Sequence, residues 1–525
     1  MKFEKRRVHM NCKKKSNIHQ ITFDQDKNVP EQMPDMEVTI CQKGNVRIDS
    51  ARVTKDKVYL NGVLNYELLY QSPGNSMGLY PLSGSVSIEE SINMDGLEEG
   101  DVVYLDADVE DLSITMVNSR KISMKAIVTI QVDAESTKEI ALVTEAEGDG
   151  VFCEYKDMQM SELVARKKDL VRIKEEISLE QGKENIAKIL WYTVNLFEPI
   201  ISVKEGAVEV RGDLSVFILY AGEKDLISFV EAKIPYCGEI EILDSAEGLI
   251  PESSVNVNGF GVDIKPDYDG ESRVFAVDAV LGVDIKLYDE ANIRIVEDVY
   301  SVKEELIPSR TPVEYESLIV KNSSKLRINE RVGIGKDDWS KEALQTKMIQ
   351  ICNVSGEVKI DDMQVTNDGI RVEGILMADI IGISENDGMP LTCHKTSIPF
   401  SHKIEAKGIK AQDTYRIRTW IDNLCCTMAG GNELEIKAVV CMDGIVFARN
   451  QAEIIEDATA KEYDLEEIGK SPAVHVVVVE AGETLWKIAK NYHSTVENIR
   501  KWNNLPEDAA VKEGDMLVVV RTLRI

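Results

Sequence analysis

Three stretches of this chain repeat one pattern, and any fold must accommodate that repetition. Val58–Tyr70 (VYLNGVLNYELLY), Val208–Tyr220 (VEVRGDLSVFILY) and Ile370–Ile383 (IRVEGILMADIIGI) alternate apolar residues about a central glycine, Gly62, Gly212 or Gly374. These glycines lie 150 and 162 positions apart. An apolar pair six residues apart follows each one: Val86/Ile92, Ile234/Ile240 and Ile398/Ile404, starting 24, 22 and 24 residues past the glycine. A closing run then appears as KAIVTIQV, DAVLGVDI and KAVVCMDG, with Ala126, Ala279 and Ala438 at 64, 67 and 64 residues past the glycine. Three anchors in one order, with small length changes between them, describe three copies of one domain.

Period-two alternation rich in Val, Ile and Tyr, broken by Gly, Asn and Asp turns, makes each copy mainly β. The expected fold class is three tandem β-rich repeats, sandwich or barrel-like, followed by a small βααβ domain. The repeats are placed at 31–143, 161–306 and 325–456. Segments 144–160 and 307–324 read as linkers between them. The segments before the glycine strands (PEQMPDMEVTI, KENIAKILWYTV, SKEALQTKMIQI) are candidates for short helices. The strand glycine marks either a position where no side chain fits or a bulge. Residues 1–30 hold eight basic and three acidic side chains and read as a solvated basic tail, with a docking arm as the alternative. Residues 457–472 form an acidic linker, poor in large apolar residues.

Charge narrows the partners. With 61 basic against 91 acidic side chains the net charge is −30, so phosphates are repelled and nucleic acid is not an expected ligand. Nine cysteines at irregular spacing, with no CxxC pair, fit a reducing compartment better than a disulfide framework. No apolar stretch follows the basic N-terminus as a signal peptide requires, and no run approaches the length of a membrane span. The expected location is cytoplasmic.

The C-terminal segment, 473–525, reads as strand, helix, helix, strand. Thr484 is placed to cap a first helix carrying Leu485, Ile488, Ala489 and Tyr492 on one face; Thr495 is placed to cap a second carrying Val496, Ile499 and Trp502. Asn503–Asn504 ends the second helix, and Met516–Val520 supplies the last strand. The run Gly482-Glu483-Thr484-Leu485-Trp486-Lys487-Ile488-Ala489-Lys490-Asn491-Tyr492, with Ile499…Asn503-Asn504-Leu505 and Gly514-Asp515-Met516-Leu517, resembles the LysM family. That resemblance implies a fold that in many members binds N-acetylglucosamine chains. The groove would be lined by Gly482, Glu483, Thr484 and Leu485 on one side and by Asn504, Leu505 and Pro506 on the other. Glu483 stands where the pattern has Asp, and the usual Pro closing the last strand is absent at Val519–Val520. Seven basic and seven acidic residues make this module neutral beside an acidic remainder. Such a module suits protein docking, with Trp486, Lys487 and Trp502 as the candidate partner-binding residues.

The β repeats resemble the SPOCS domain, and SPOCS repeats ahead of a C-terminal LysM are similar to clostridial spore coat morphogenetic proteins. The resemblance implies synthesis in the mother cell and recruitment to the forespore surface. There the LysM would bind the coat basement ATPase, stage IV sporulation protein A, with other coat proteins as further partners. The alternative is a peptidoglycan-binding protein of cortex or wall. A wall hydrolase with a LysM arm is the distant third, because no Walker, GxGxxG, HExxH or GxSxG pattern occurs. Cys393-His394, His402 and Cys425-Cys426 come closest to a metal constellation, but their spacing matches no common site and they occur in one repeat only. No catalytic residue, metal or cofactor is expected.

Overall fold

Each repeat spins its alternating sequence into six antiparallel strands. The computed structural model describes residues 1–74, 78–224, 226–333, 348–386, 388–430, 433–507 and 509–522. Repeat one comprises β1 (Lys2–Asn28), β2 (Val38–Thr54), β3 (Lys57–Gln71), β4 (Leu79–Asn93), β5 (Val102–Asn118) and β6 (Lys121–Glu147). Repeat two runs from β7 (Val151–Ser178) through β8 (Ile186–Lys204), β9 (Ala207–Gly222), β10 (Ile227–Glu241) and β11 (Ile250–Pro266) to β12 (Ser272–Ser301). Repeat three is β13 (Glu304–Gly333), β14 (Met348–Thr366), β15 (Gly369–Ser384), β16 (Leu391–Glu405), β17 (Thr414–Gly430) and β18 (Glu433–Glu462). In every repeat the second, third and fourth strands form one three-stranded sheet, and the first, sixth and fifth form another in the order first–sixth–fifth. The two sheets face each other across a core of alternate residues. In repeat one Leu60, Leu64 and Leu68 of β3 share it with Ala126, Val128 and Ile130 of β6. The apolar pairs and closing alanines that announce the repeat in the sequence are all buried there.

The strand glycine answers to both of its readings. Gly62 and Gly374 pair with Ile48 and Ile360, each at a register shift of the neighbouring strand, and Gly212 faces the shift between Phe197 and Ile200. The extra residue pushes a carbonyl toward the glycine. A Cβ would lie 2.6 Å from the Arg47 oxygen at Gly62 and 2.2 Å from the Lys359 oxygen at Gly374. The bulge is on the partner strand, and the glycine is the space it needs.

Several boundaries differ from the sequence expectation. Residues 2–28 are not a solvated tail: they form β1, paired along its length with β6. Its basic side chains meet acidic partners, Lys13 with Asp133 and Lys14 with Asp101, which explains a local positive run on an acidic chain. Segment 144–160 is mostly strand, with the turn confined to a few residues between β6 and β7, and 307–324 lies wholly inside β13. The segments before β2 and β8 hold turns rather than helices. In the third repeat most of the corresponding segment lies outside the described residues.

The outer strands are long because each serves two structures. Bulges at Lys13/Lys15, Leu287/Tyr288 and Leu318/Val320 mark where the first strand of each repeat leaves its sheet and continues with the sixth as a two-stranded ribbon. The three ribbons converge on one cluster: Val8, Met10 and Leu142 meet Met158, Met160, Ile293 and Ile454. A second shared cluster joins the repeats through their glycine-strand sheets. Leu69, Leu219 and Ile381, each seven residues past its glycine, turn away from the domain core to meet Cys41, Trp191 and Cys352. The repeats thus form a ring with threefold pseudosymmetry.

Between these clusters sits a buried charge network. Glu135 of β6 accepts from Lys286 of β12 at 2.8 Å and from Arg166 of β7 at 2.8 Å, and it pairs with Arg416 of β17. Arg416 also pairs with Glu252 of β11, which accepts from Tyr288 Oη at 3.1 Å. All three repeats contribute. By strand register, Tyr104, Glu252 and Arg416 occupy one equivalent position, opposite Asp133, Lys286 and Ile445. The pseudosymmetric site therefore carries a neutral, a negative and a positive group.

Candidate binding site in the C-terminal module

After β18 the chain forms a short helix, α1 (Leu465–Gly469), and then the module proper: β19 (Val474–Val478), α2 (Leu485–Asn491), α3 (Val496–Trp502) and β20 (Met516–Val520). The acidic linker is thus structured in part, since β18 runs to Glu462 and Tyr463 Oη donates to the Ser301 carbonyl at 2.8 Å. Both helices start where hydroxyl caps stand. Thr484 Oγ1 accepts from Lys487 N at 3.3 Å, and Thr495 Oγ1 from Asn498 N at 3.0 Å. The Asn503 side chain ties α3 to β20, donating to Val518 O and accepting from Val518 N, each at 2.7 Å. β19 and β20 pair antiparallel, and Leu485, Ile488, Ala489 and Ile499 pack on their inner side with Val477, Leu517 and Val519.

This module is seated on the repeats through α2. Trp486 Nε1 donates to Asp298 Oδ2 at 2.9 Å, and its ring meets Tyr300 edge-on at 4.7 Å. Lys490 Nζ donates to both oxygens of Asp298 at 2.8 Å, and Tyr300 Oη donates to the Ser494 carbonyl at 3.0 Å. Asp298 and Tyr300 both lie at the end of β12, in the ribbon of repeat two. Burial would raise the Asp298 carboxyl, but the Lys490 and Trp486 donors overcome it and hold it below the ordinary range. Glu154, in the same ribbon, is raised by burial and by Glu297 and Asp298 beside it.

The proposed groove faces elsewhere and is open. Gly482, Thr484, Asn504 and Pro506 are exposed, Glu483 and Leu505 half-buried, and Leu485 is turned into the core. Gly482 has φ 78° and Asn504 φ 51°, conformations that glycine and asparagine adopt most readily. The Glu483 carboxylate folds back to accept from Glu480 N at 2.9 Å. Lys487 is exposed, and its Nζ donates to the Gly482 carbonyl at 3.2 Å, which places it on the groove rim. Trp502 is 59% exposed at the end of α3. Of the three candidate docking residues, Lys487 and Trp502 are therefore free to meet a partner, and Trp486 is engaged within the chain. The residues that hold it, Asp298 and Tyr300, carry no sequence signal, because they sit in an ordinary alternating strand 188 and 186 positions away.

The candidate metal ligands are not brought together. His394 Nε2 contacts Thr392 Oγ1 at 3.2 Å and His402 Nε2 contacts Ser324 Oγ at 3.1 Å, while Cys393 is half-buried and Cys425 exposed. Among the described residues no helix is long and apolar enough to cross a membrane.

A family model described as SipL, SPOCS domain, matches residues 35–117, 185–265 and 347–429, and a LysM domain model matches 477–520. The chain is a SPOCS-repeat protein with a C-terminal LysM domain. The three matches coincide with the second to fifth strands of the repeats, leaving the long first and sixth strands outside. SPOCS domains mark the protein as sporulation-related, and LysM is a domain of the peptidoglycan-binding type; neither is a catalytic family. No curated protein and no solved structure matches this SPOCS–LysM chain.

Proposed function

We propose that this protein is a non-enzymatic scaffold of the spore coat, made on the mother-cell side and held at the forespore surface by its LysM domain. The docking partner in this reading is the coat basement ATPase, stage IV sporulation protein A. The observation that carries the reading is the seating of Trp486 on Asp298 and Tyr300. It seats the LysM on the three repeats through α2 and leaves Lys487, Trp502 and most of the groove residues exposed. A preorganised surface with an exposed Trp and a basic rim is what protein docking favours. Sugar binding would draw on aromatic faces and free polar groups. Here Trp486 is spent on Tyr300, and the Glu483 carboxylate is spent on its own turn.

Peptidoglycan binding is the second reading, favoured by the open groove with Thr484 and Asn504 exposed. The full chain is tested for coprecipitation with purified stage IV sporulation protein A and for sedimentation with purified peptidoglycan. Capture of the ATPase that Lys487→Glu or Trp502→Ala abolishes supports the scaffold. Sedimentation with glycan that Thr484→Val or Asn504→Ala weakens, without capture of the ATPase, replaces it by the second reading.

A further inference from the structure

The ring of SPOCS repeats has three seams, and the chain itself crosses only two of them. Repeat one runs into repeat two through residues 148–150, and repeat two into repeat three through Val302 and Lys303. Repeats three and one meet through non-covalent contacts alone, among them the Glu135–Arg416 and Asp108–Lys359 pairs. Fourth strands lie against second strands of the next repeat, β4 against β8 and β16 against β2, and β10 is brought near β14 through the cluster that holds Phe229 and Cys352 and through Glu231, which acts on Cys352.

Strand register identifies the equivalent residues at these seams. Leu69, Leu219 and Ile381 stand opposite Cys41, Trp191 and Asn353 on the second strands, and opposite Pro81, Phe229 and Cys393 on the fourth. The three matched pairs are therefore Pro81 with Trp191, Phe229 with Asn353, and Cys393 with Cys41. The only seam without a peptide connection carries two thiols. They belong to one packed cluster, in which Cys41 is buried and Cys393 packs against its members. Cys41 is buried and Cys393 half-buried, so one thiol is reachable from solvent and the other is not.

We propose that Cys41 and Cys393 form a disulfide that closes the SPOCS ring covalently when the protein meets an oxidising environment. The oxidant is a small disulfide such as oxidised glutathione. The Cys393 thiolate attacks one of its sulfurs, giving a mixed disulfide and releasing one thiol. Cys41 then loses its proton and displaces the second thiol, forming the Cys41–Cys393 bond. Two protein thiols are oxidised and one small disulfide is reduced to two thiols. Burial pushes the Cys41 thiol well up, which makes its deprotonation in the second step slow at neutral pH. The joined residues are 352 positions apart (393 − 41). The bond thus ties together the two repeats that the backbone leaves unlinked.

The test uses the full chain, folded, with oxidised glutathione as the probe. After oxidation, two of the nine thiols should be lost to alkylation, and a proteolytic digest should contain one linked peptide pair holding Cys41 and Cys393. Cys393→Ser, the milder change because that side chain is half-buried, should abolish the pair while leaving the circular dichroism spectrum unchanged. The urea midpoint of the oxidised wild type should exceed that of the reduced protein, and the oxidised Cys393→Ser variant should show no such increase. A glutathione adduct that persists on Cys393, or a linked pair that excludes Cys41, overturns the proposal. So does a native protein in which both thiols survive oxidation.

Discussion

The indole N–H of Trp486 donates to the Asp298 carboxylate at 2.9 Å, joining residues 188 positions apart and seating the LysM on the ribbon of repeat two. Asp298 gathers three further hydrogen bonds, two from Lys490 at 2.8 Å and one from Arg310 at 3.2 Å. One carboxylate thus organises most of the polar contact between the two parts of the molecule.

Asp298→Ala should free the LysM without unfolding it. Hydrogen bonds to a charged group contribute about 1.5–3 kcal/mol each, so the seat should weaken markedly. Hydrogen exchange should accelerate across Leu485–Asn491 and in the facing end of β12, while exchange in the sheets of repeat one stays as in the wild type. Unaltered exchange in α2 would show that Tyr300 and the apolar contacts suffice.

Lys487→Glu and Trp502→Ala probe the outward surface with little structural cost, since both side chains are exposed. Each should lower affinity for the coat ATPase by at least about tenfold, the scale of an interface hot spot, with an unchanged melting temperature. Trp486→Glu is the less informative substitution. It breaks the Asp298 and Tyr300 contacts as well, so lost binding would not separate docking from undocking.

Arg416→Leu should destabilise the ring strongly. Glu135 and Glu252 are 1% and 6% exposed, and both pair with this guanidinium. Stripping a partner from a buried charge costs about 3–5 kcal/mol, so the urea midpoint should fall and the three repeats should lose cooperativity. A shift below about 1 kcal/mol would mean that Lys286 and Arg166 neutralise the site without it.

Two carboxyls give stability opposite pH dependences. Burial would raise Glu252, but Arg416, Lys286 and Arg418 hold it down at about 2. Its folded value lies below the unfolded one, so its contribution is complete above about pH 4.3 and drains away as pH falls toward 2. Glu357 is pushed up to about 7 by burial first and then by Asp108 across the seam between repeats one and three. Its folded form keeps a proton that the unfolded chain has released. That contribution is full at low pH and is lost as pH rises through about 7. Glu357→Gln should therefore flatten the decline of the urea midpoint between about pH 4.3 and pH 7 and leave the behaviour below that window unchanged.

Gly374→Ala tests the paired bulge. With a Cβ 2.2 Å from the Lys359 carbonyl, β14 must shift, and a loss of about 1–3 kcal/mol is expected in thermal unfolding. Gly100→Ala, where a Cβ meets nothing within 4 Å, is the control.

The sequence made the interior of each repeat legible because burial on one sheet face writes itself as period two. The repeat phase, the apolar pairs, the closing alanines and both helix caps of the LysM were readable for the same reason: each is a local rule. What was not legible depends on partners far away in the chain. Residues 2–28 look like a basic tail until Asp133 and Asp101 are known to lie beside them. The segment 307–324 looks like a linker because a two-stranded ribbon buries only part of one face and so alternates weakly. Leu69, Leu219 and Ile381 look like ordinary members of an apolar run, yet they leave the domain core to hold the ring together. Trp486 is ambiguous in sequence between core and surface, and the structure gives a third answer, an internal seat whose other half is Asp298.

The unequal trio of Tyr104, Glu252 and Arg416 bears on how such a chain can evolve. Three copies of any one repeat would set three phenols, three carboxylates or three guanidiniums at corresponding places around the axis. The three positions are not interchangeable, since Arg416 pairs with both Glu252 and Glu135. Heredity must therefore preserve their cyclic order. A gene encoding the repeats as two–three–one keeps every adjacency, whereas one–three–two reverses all of them and brings each charge to the wrong door.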